Sequence, residues 1–210
     1  MLLEINNLVE SGAIEPIPVF LDSPLAIAVT EMYRRYPQYL KTEVQEQIDG
    51  GDDIFDFEGL SFTRSVKDSH DIQKEKGAKI IIAGSGMSHG GRIRRHEQNY
   101  LDDKNTTLLL VGYQAVGSLG RLLHDGATRV KIDDEYVKVR AKVARIRGFS
   151  GHADRDQLVG LVARGCDKVK QVFVTMGEER SSLFLVQRLR DHVGLNAVAP
   201  SLNEEIEIDF

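Results

Sequence analysis

Cysteine is almost missing from this chain, and the single Cys166 rules out both an intrachain disulfide and a cysteine-rich zinc site. Long apolar runs are missing too. No stretch approaches the roughly 18 residues that a membrane-spanning helix requires. The start, Met1-Leu2-Leu3-Glu4-Ile5-Asn6-Asn7, has neither the basic residues nor the apolar core of a signal peptide. Positive charge is not in excess either. The formal net charge of −5 argues against general, charge-driven binding to nucleic acid, although a local basic groove remains compatible with it. Six histidines are present, but none forms H-x-H or H-E-x-x-H, so a self-contained three-ligand metal site cannot be assembled from them. There is no G-x-G-x-x-G or Walker loop, no G-x-S-x-G elbow, no internal repeat and no low-complexity segment. The expectation from these absences is a cytoplasmic protein with no membrane association.

What is present is ordinary globular composition: 210 residues, 41% hydrophobic and 28% charged, enough for one large domain or two small ones. Strand and helix patterns alternate, which predicts an α/β architecture. Ile17–Leu21 reads as a buried strand, followed by Ser23 as a helix N-cap and Pro24 at the first helical position. That helix is predicted to run to about Tyr36. Residues 42–60 are acidic and read as a loop or short helix. Val66–Gly77 reads as a helix, Lys79–Ala83 as a strand, and Gly90 or Gly91 to about Leu101 as a helix. Thr107–Val111 is apolar enough for a strand buried on both faces, with a helix over Gly117–His124. Residues 128–132 and 136–147 alternate in period two and predict a strand pair joined near Asp133-Asp134, with Val137, Val139, Ala141 and Val143 on one side. Helices are predicted over Asp154–Arg164 and Glu179–Val193, and strands over Lys170–Thr175 (buried) and Asn196–Ala199.

Three junctions carry chemistry. Ser85-Gly86-Met87-Ser88-His89-Gly90-Gly91-Arg92 follows a strand and precedes a helix. Its glycines bare backbone N–H groups, and Arg92 adds a bidentate cation, so phosphate is one reading and a tight turn the other. Gly112-Tyr113-Gln114-Ala115 ends the next strand, where ligands collect in open α/β sheets. Tyr113 could stack on a base or belong to the core, and Gln114 could bond a base edge or a phosphate. Gly148-Phe149-Ser150-Gly151-His152-Ala153-Asp154 places one imidazole among small residues, free to act as ligand, acid or base. His89 and His96 lie seven residues apart and read as surface histidines. Two basic segments, Arg92 with Arg94 and Arg95, and Lys138, Arg140, Lys142, Arg145 and Arg147, read as solvated faces.

Taken together, Phe20-Leu21-Asp22-Ser23-Pro24-Leu25-Ala26 with Thr30, Ile80 to Arg92, Gly112 to Arg121, and Gly148 to Asp154 resemble the β-CASP family of the metallo-β-lactamase superfamily, the RNA-processing nucleases. The resemblance implies a β-CASP cap domain over residues 1–122. Residues 123–210 would be the C-terminal return segment of an αββα metallo-β-lactamase sandwich. It implies RNA in the cleft between them, touched by Ser23, Ser85, Gly86, Arg92, Tyr113, Gln114, Arg121 and Ser150. It also implies a zinc-dependent ribonuclease with two ions, whose ligands come mainly from an H-x-H-x-D-H motif that these residues do not contain. His152 matches the histidine that protonates the leaving oxygen, and Asp154 is expected to cap the following helix. Met176 stands where the family has a histidine ligand; a thioether is a poor zinc donor beside imidazole and carboxylate. The chain alone is therefore expected to bind no zinc and to be inactive. The alternative is a non-enzymatic RNA-binding or scaffolding module that forms a homodimer or pairs with a catalytic subunit. A half-sandwich would also leave the strands of 128–147 with an uncovered apolar face, predicting self-association.

Overall fold

A computed structural model describes residues 1–146 and 148–208; Arg147 of the second basic segment lies outside them. The chain forms two compact units, residues 1–150 and 151–210.

The first unit opens with helix α1 (Leu2–Glu10) and strand β1 (Val19–Asp22), then α2 (Pro24–Arg35), α3 (Thr42–Asp49), β2 (Leu60–Phe62), α4 (Val66–Asp71) and β3 (Ile80–Ala83). β1 lies between β2 and β3 in a parallel sheet, with Val19 opposite both Leu60 and Ile80. Its central place explains its apolar sequence, since Val19 and Leu21 are both buried. Ser23 caps α2 by accepting from the Ala26 N–H at 3.3 Å, with Pro24 next, as expected. α1 has no counterpart in the sequence reading. Its one buried residue is polar: Asn6 donates through Nδ2 to Asp52 at 3.1 Å.

The unit continues through α5 (Ile93–Tyr100), β4 (Thr107–Leu110), α6 (Leu119–His124), β5 (Arg129–Ile132), β6 (Glu135–Lys138) and β7 (Lys142–Arg145). β4 and β7 are parallel partners. The expectation that β4 is buried on both faces is corrected, because Leu109 is 42% exposed; β4 has one partner strand among the described residues. The predicted strand pair around Asp133-Asp134 forms as the β5–β6 hairpin. The second strand, however, does not run unbroken to residue 147. At Arg140 and Ala141 the N–H groups turn to the Leu101 carbonyl at 2.8 and 2.9 Å, and the chain leaves to pair with β4. The expected uncovered apolar face is corrected as well. Val130, Ile132 and Val137 pack into a core with Leu101, Leu119, Leu123 and Ala141. Burial of this kind stabilises by roughly 1.5–3 kcal/mol for each large side chain.

The second unit contains α7 (Arg155–Ala163), β8 (Gln171–Phe173), α8 (Glu179–Val193) and β9 (Asn196–Val198), with β8 and β9 parallel. Asp154 does cap its helix: it accepts from the Gln157 N–H at 2.8 Å while Gln157 Oε1 accepts from the Asp154 N–H at 2.8 Å, a capping box. Gly194, in the left-handed conformation at φ +71°, ends α8. The core here is small: Val186, Leu189 and Ala197 are buried, with Val159, Val162, Val172 and Val174 packed against them. β8, expected to be a buried strand, is half-buried throughout.

Candidate functional site

In the first unit the three parallel strands end at one rim, the edge of an α/β sheet where ligands bind. Asp22, the last residue of β1, is fully buried there. One carboxylate oxygen accepts from Thr63 Oγ1 and from Arg92 Nη1, each at 2.6 Å. The other accepts from Ser69 Oγ at 2.6 Å and meets His96 Nε2 at 2.6 Å. Desolvation, the largest single influence, opposes ionisation. Hydrogen bonds from Ser69, Thr63, His96 and Arg92 together outweigh it and hold the carboxyl below the usual aspartate range.

Arg92 is thus spent on the protein. Besides Asp22, its guanidinium donates to the Thr63 and Arg64 carbonyls at 2.7 and 3.0 Å, tying the end of β2 to the glycine-rich loop. That loop runs directly into a helix, as expected, with Arg92 at the N-cap of α5, which starts at Ile93 rather than at Gly90 or Gly91. On the way it folds back on itself, and Gly91 (φ +76°) sits where an added Cβ would land on the Gly84 carbonyl. Ser85 and Gly86 are exposed; Ser85 Oγ accepts from the His89 N–H at 3.2 Å. Below them, buried Ser88 donates to Glu97, whose carboxyl is raised chiefly by desolvation, with the Ser88 hydrogen bond and the Arg94 charge opposing. The reading of His96 as a surface residue is corrected: it is 5% exposed, drawn inward by Asp22, whereas His89 is exposed.

Gln114 joins the two junctions of this unit. It is buried, and its Nε2 donates to the Gly86 carbonyl at 2.8 Å and the Gly112 carbonyl at 3.3 Å. Gly120 makes room for it, since a Cβ there would overlap Gln114 Oε1, and the Gly120 N–H donates to the Met87 carbonyl at 3.2 Å. Arg121 reaches the Gln114 carbonyl at 3.4 Å and Asp125 at 2.7 Å. Tyr113 is no core tyrosine; it is 61% exposed. The structure therefore brings Ser85, Gly86, Arg92, Gln114 and Arg121 into one neighbourhood around two linked loops, with Tyr113 on its outside, while Ser23 follows Asp22 in the chain and caps α2. Thr63, Ser69 and His96 were missed. The available signal was a carboxylate closing an apolar strand, a position that demands buried partners.

In the second unit, exposed His152 lines an open pocket of about 930 Å³ together with Arg155, Thr175, Met176, Gly177 and Arg180. His152 and Met176 thus share a pocket, while Ser150, at the end of the first unit, is exposed. Met176 is fully exposed at φ +66°. Among the described residues no three His, Cys, Asp or Glu side chains gather as a ligand set. This pocket offers one imidazole, one thioether and two guanidinium groups, and cationic neighbours repel a dication. Zinc does not fit these donors.

The first unit thus ends a parallel sheet in a rim of glycine-rich loops, and the second is a small α/β unit that exposes His152. The Beta-Casp domain matches residues 1–123, and the Zn-dependent metallo-hydrolase RNA specificity domain matches residues 136–200, so the chain belongs to the β-CASP family of metallo-β-lactamase nucleases. It is 36% identical to ribonuclease TTHA0252 of Thermus thermophilus over 168 residues, covering 80% of this chain and 38% of the relative. It is 31% identical to transcription termination factor FttA of Pyrococcus abyssi over 214 residues (99% and 33%). It is also 31% identical to an RNase J-like protein of Methanocaldococcus jannaschii over 183 residues (87% and 41%). The chain spans about a third to two-fifths of the length of these relatives. No helix among the described residues is long and apolar enough to cross a membrane.

Proposed function

We propose that this chain provides the cap (residues 1–122) and the returning C-terminal segment (123–210) of a zinc-dependent ribonuclease that hydrolyses RNA phosphodiesters in RNA processing or decay. One observation supports this most directly: two glycine-rich loops are pinned to each other by Gln114 and to the sheet by Arg92, which leaves Ser85, Gly86 and Tyr113 outward. Backbone N–H groups of such loops suit phosphate, and an exposed tyrosine suits a base. Ser23, Arg121 and Ser150 would add polar contacts, while Arg92 and Gln114 hold the loops in shape. In the second unit His152 would protonate the leaving oxygen. The zinc ions of the complete enzyme would be held by ligands outside these residues, so the chain by itself binds single-stranded RNA without cleaving it.

The test is a labelled single-stranded RNA incubated with the purified chain, with and without zinc. Binding without cleavage is expected, and Tyr113→Ala should weaken it about tenfold, within the ~1–3 kcal/mol that one stacked base contributes. Cleavage that disappears in His152→Ala would overturn the inactivity, and absence of binding would overturn the RNA reading.

A second reading is favoured by Met176, fully exposed at the expected ligand position: a non-enzymatic RNA-binding or scaffolding module acting as a homodimer or beside a catalytic subunit. Supplying an H-x-H-x-D-H-bearing half as a separate polypeptide separates the two. Restored cleavage supports the first reading, and RNA binding without cleavage supports the second.

A further inference from the structure

The hairpin β5–β6 turns a charged face to solvent. In its ladder Arg129 lies opposite Lys138, and Lys131 opposite Tyr136. Alternation puts these four side chains on one face, all exposed, while Val130, Ile132 and Val137 take the other face into the core. Two cations directly opposite each other destabilise a strand pair. Neither Arg129 nor Lys138 has a carboxylate within salt-bridge distance among the described residues. Lys131 has only Asp134 at 3.5 Å, an exposed pair at the turn that offsets little. Arg129 rests instead over the Tyr136 ring, 4.5 Å from its centre, and Tyr136 is 64% exposed. The platform is held in place: Arg94 donates to Asp133 Oδ1 at 2.7 and 3.1 Å, and Gln98 to the Ile132 carbonyl at 3.3 Å. Three exposed cations, two of them without a carboxylate partner among the described residues, beside a flat aromatic are what a single-stranded nucleic acid needs, with phosphates on the cations and a base on the ring.

We propose that the outer face of this hairpin is a second contact for single-stranded RNA, away from the glycine-loop rim. Arg129, Lys131 and Lys138 neutralise phosphates, and Tyr136, backed by the Arg129 guanidinium, stacks on a base. The proposal rests on the reading of the chain as part of an RNA-acting enzyme, and it reassigns Lys138 from a merely solvated face.

The experiment measures binding of fluorescein-labelled oligouridine to the full chain by anisotropy across a salt series. Arg129→Ser/Lys138→Ser should weaken binding about tenfold at low salt. It should also make the slope of log affinity against log salt shallower by about 1.4, from roughly 0.7 for each phosphate contact on a single strand. Tyr136→Ser should weaken binding about fivefold with the slope unchanged. Because the like charges are gone, thermal unfolding of the double variant should stay in place or move upward, which separates lost contacts from lost fold. If the wild-type chain binds and both variants match it in affinity and slope, the hairpin contact is wrong and the wider RNA reading stands. If the wild-type chain does not bind oligouridine, both fall. If polyglutamate of equal charge displaces oligouridine as effectively as unlabelled oligouridine does, the face serves an acidic protein partner and the RNA assignment is overturned.

Discussion

The rim of the first unit and the pocket of the second are built on opposite principles. At the rim the polar groups are buried and answered by other residues: Asp22 alone meets four side chains at 2.6 Å. In the second unit α7 has no buried residue, and large apolar side chains such as Leu161, Met176, Leu183 and Phe184 stand exposed. The first unit fixes its loops from within, so its geometry is a property of the fold. The second displays His152 exposed on a small core, with no comparable buried polar network around it among the described residues. The loops that would position RNA are thus held by buried hydrogen bonds, whereas the residue that would carry the proton stands exposed.

The comparison breaks most sharply at Asp22. Asp22→Ala leaves Arg92, His96, Thr63 and Ser69 facing a void, and the loss is expected to be about 3–5 kcal/mol. Urea unfolding read by hydrogen exchange of the β1 and β3 amides measures it; a loss below about 1 kcal/mol would mean that the network is not what holds the rim. The same residue predicts a pH dependence. Its folded-state pKa is lowered, so its stabilisation is complete above the ordinary aspartate value near 3.9 and is lost as pH falls through the folded value. The acid limb of the stability curve should flatten in Asp22→Ala.

Gly91→Ala comes next. Its left-handed φ and the Gly84 carbonyl in the path of a Cβ predict a loss of roughly 1–3 kcal/mol. Chemical shifts of Gly86 and Gln114 should move with it if the two junctions are coupled as described, and unmoved shifts would uncouple them.

Asp154→Ala removes the capping box of α7 and should cost about 1 kcal/mol. Hydrogen exchange should accelerate within residues 151–210 and leave β1 unchanged; acceleration in both units would refute the contrast drawn above.

The smallest effect is expected at Glu97, and it has the opposite sign. Its folded-state pKa is raised, so the wild type loses stability as pH rises from the ordinary glutamate range through the folded value. Glu97→Gln can still accept from Ser88 and should be the more stable protein at neutral pH, with the difference vanishing in acid. Equal stability of both proteins at neutral pH would contradict the raised value.

The order of elements was legible because periodicity and capping are local. Ser23 and Asp154 cap the helices that their side chains predict, and α8 spans the residues that its pattern marks out. Misreadings came where a distant group decided. β4 reads as buried on both faces, but its burial depends on how many strands flank it. The strand from residue 136 breaks where the Leu101 carbonyl, far back in the chain, takes the Arg140 and Ala141 N–H groups. His96 reads as a surface residue because nothing near it in sequence announces Asp22, 74 residues away. Of the candidate site, the glycine loops, Tyr113, Gln114 and His152 were visible as unusual residue combinations, whereas Thr63, Ser69 and Glu97 were not.

By itself, then, the sequence determined the α/β class, the positions of the caps and glycine turns, and the resemblance that the Beta-Casp and RNA specificity domain matches bear out. These depend on side-chain spacing and on backbone conformations that small residues permit. Only the tertiary structure decided which polar groups are spent on the fold and which face outward. Arg92 and Gln114 hold the rim, Tyr113 and the Arg129–Lys138 pair stand free of the core, and Met176 lies open beside His152. The physical reason is that a polar group's role depends on whether a partner reaches it before solvent does, and those partners come from segments tens of residues away.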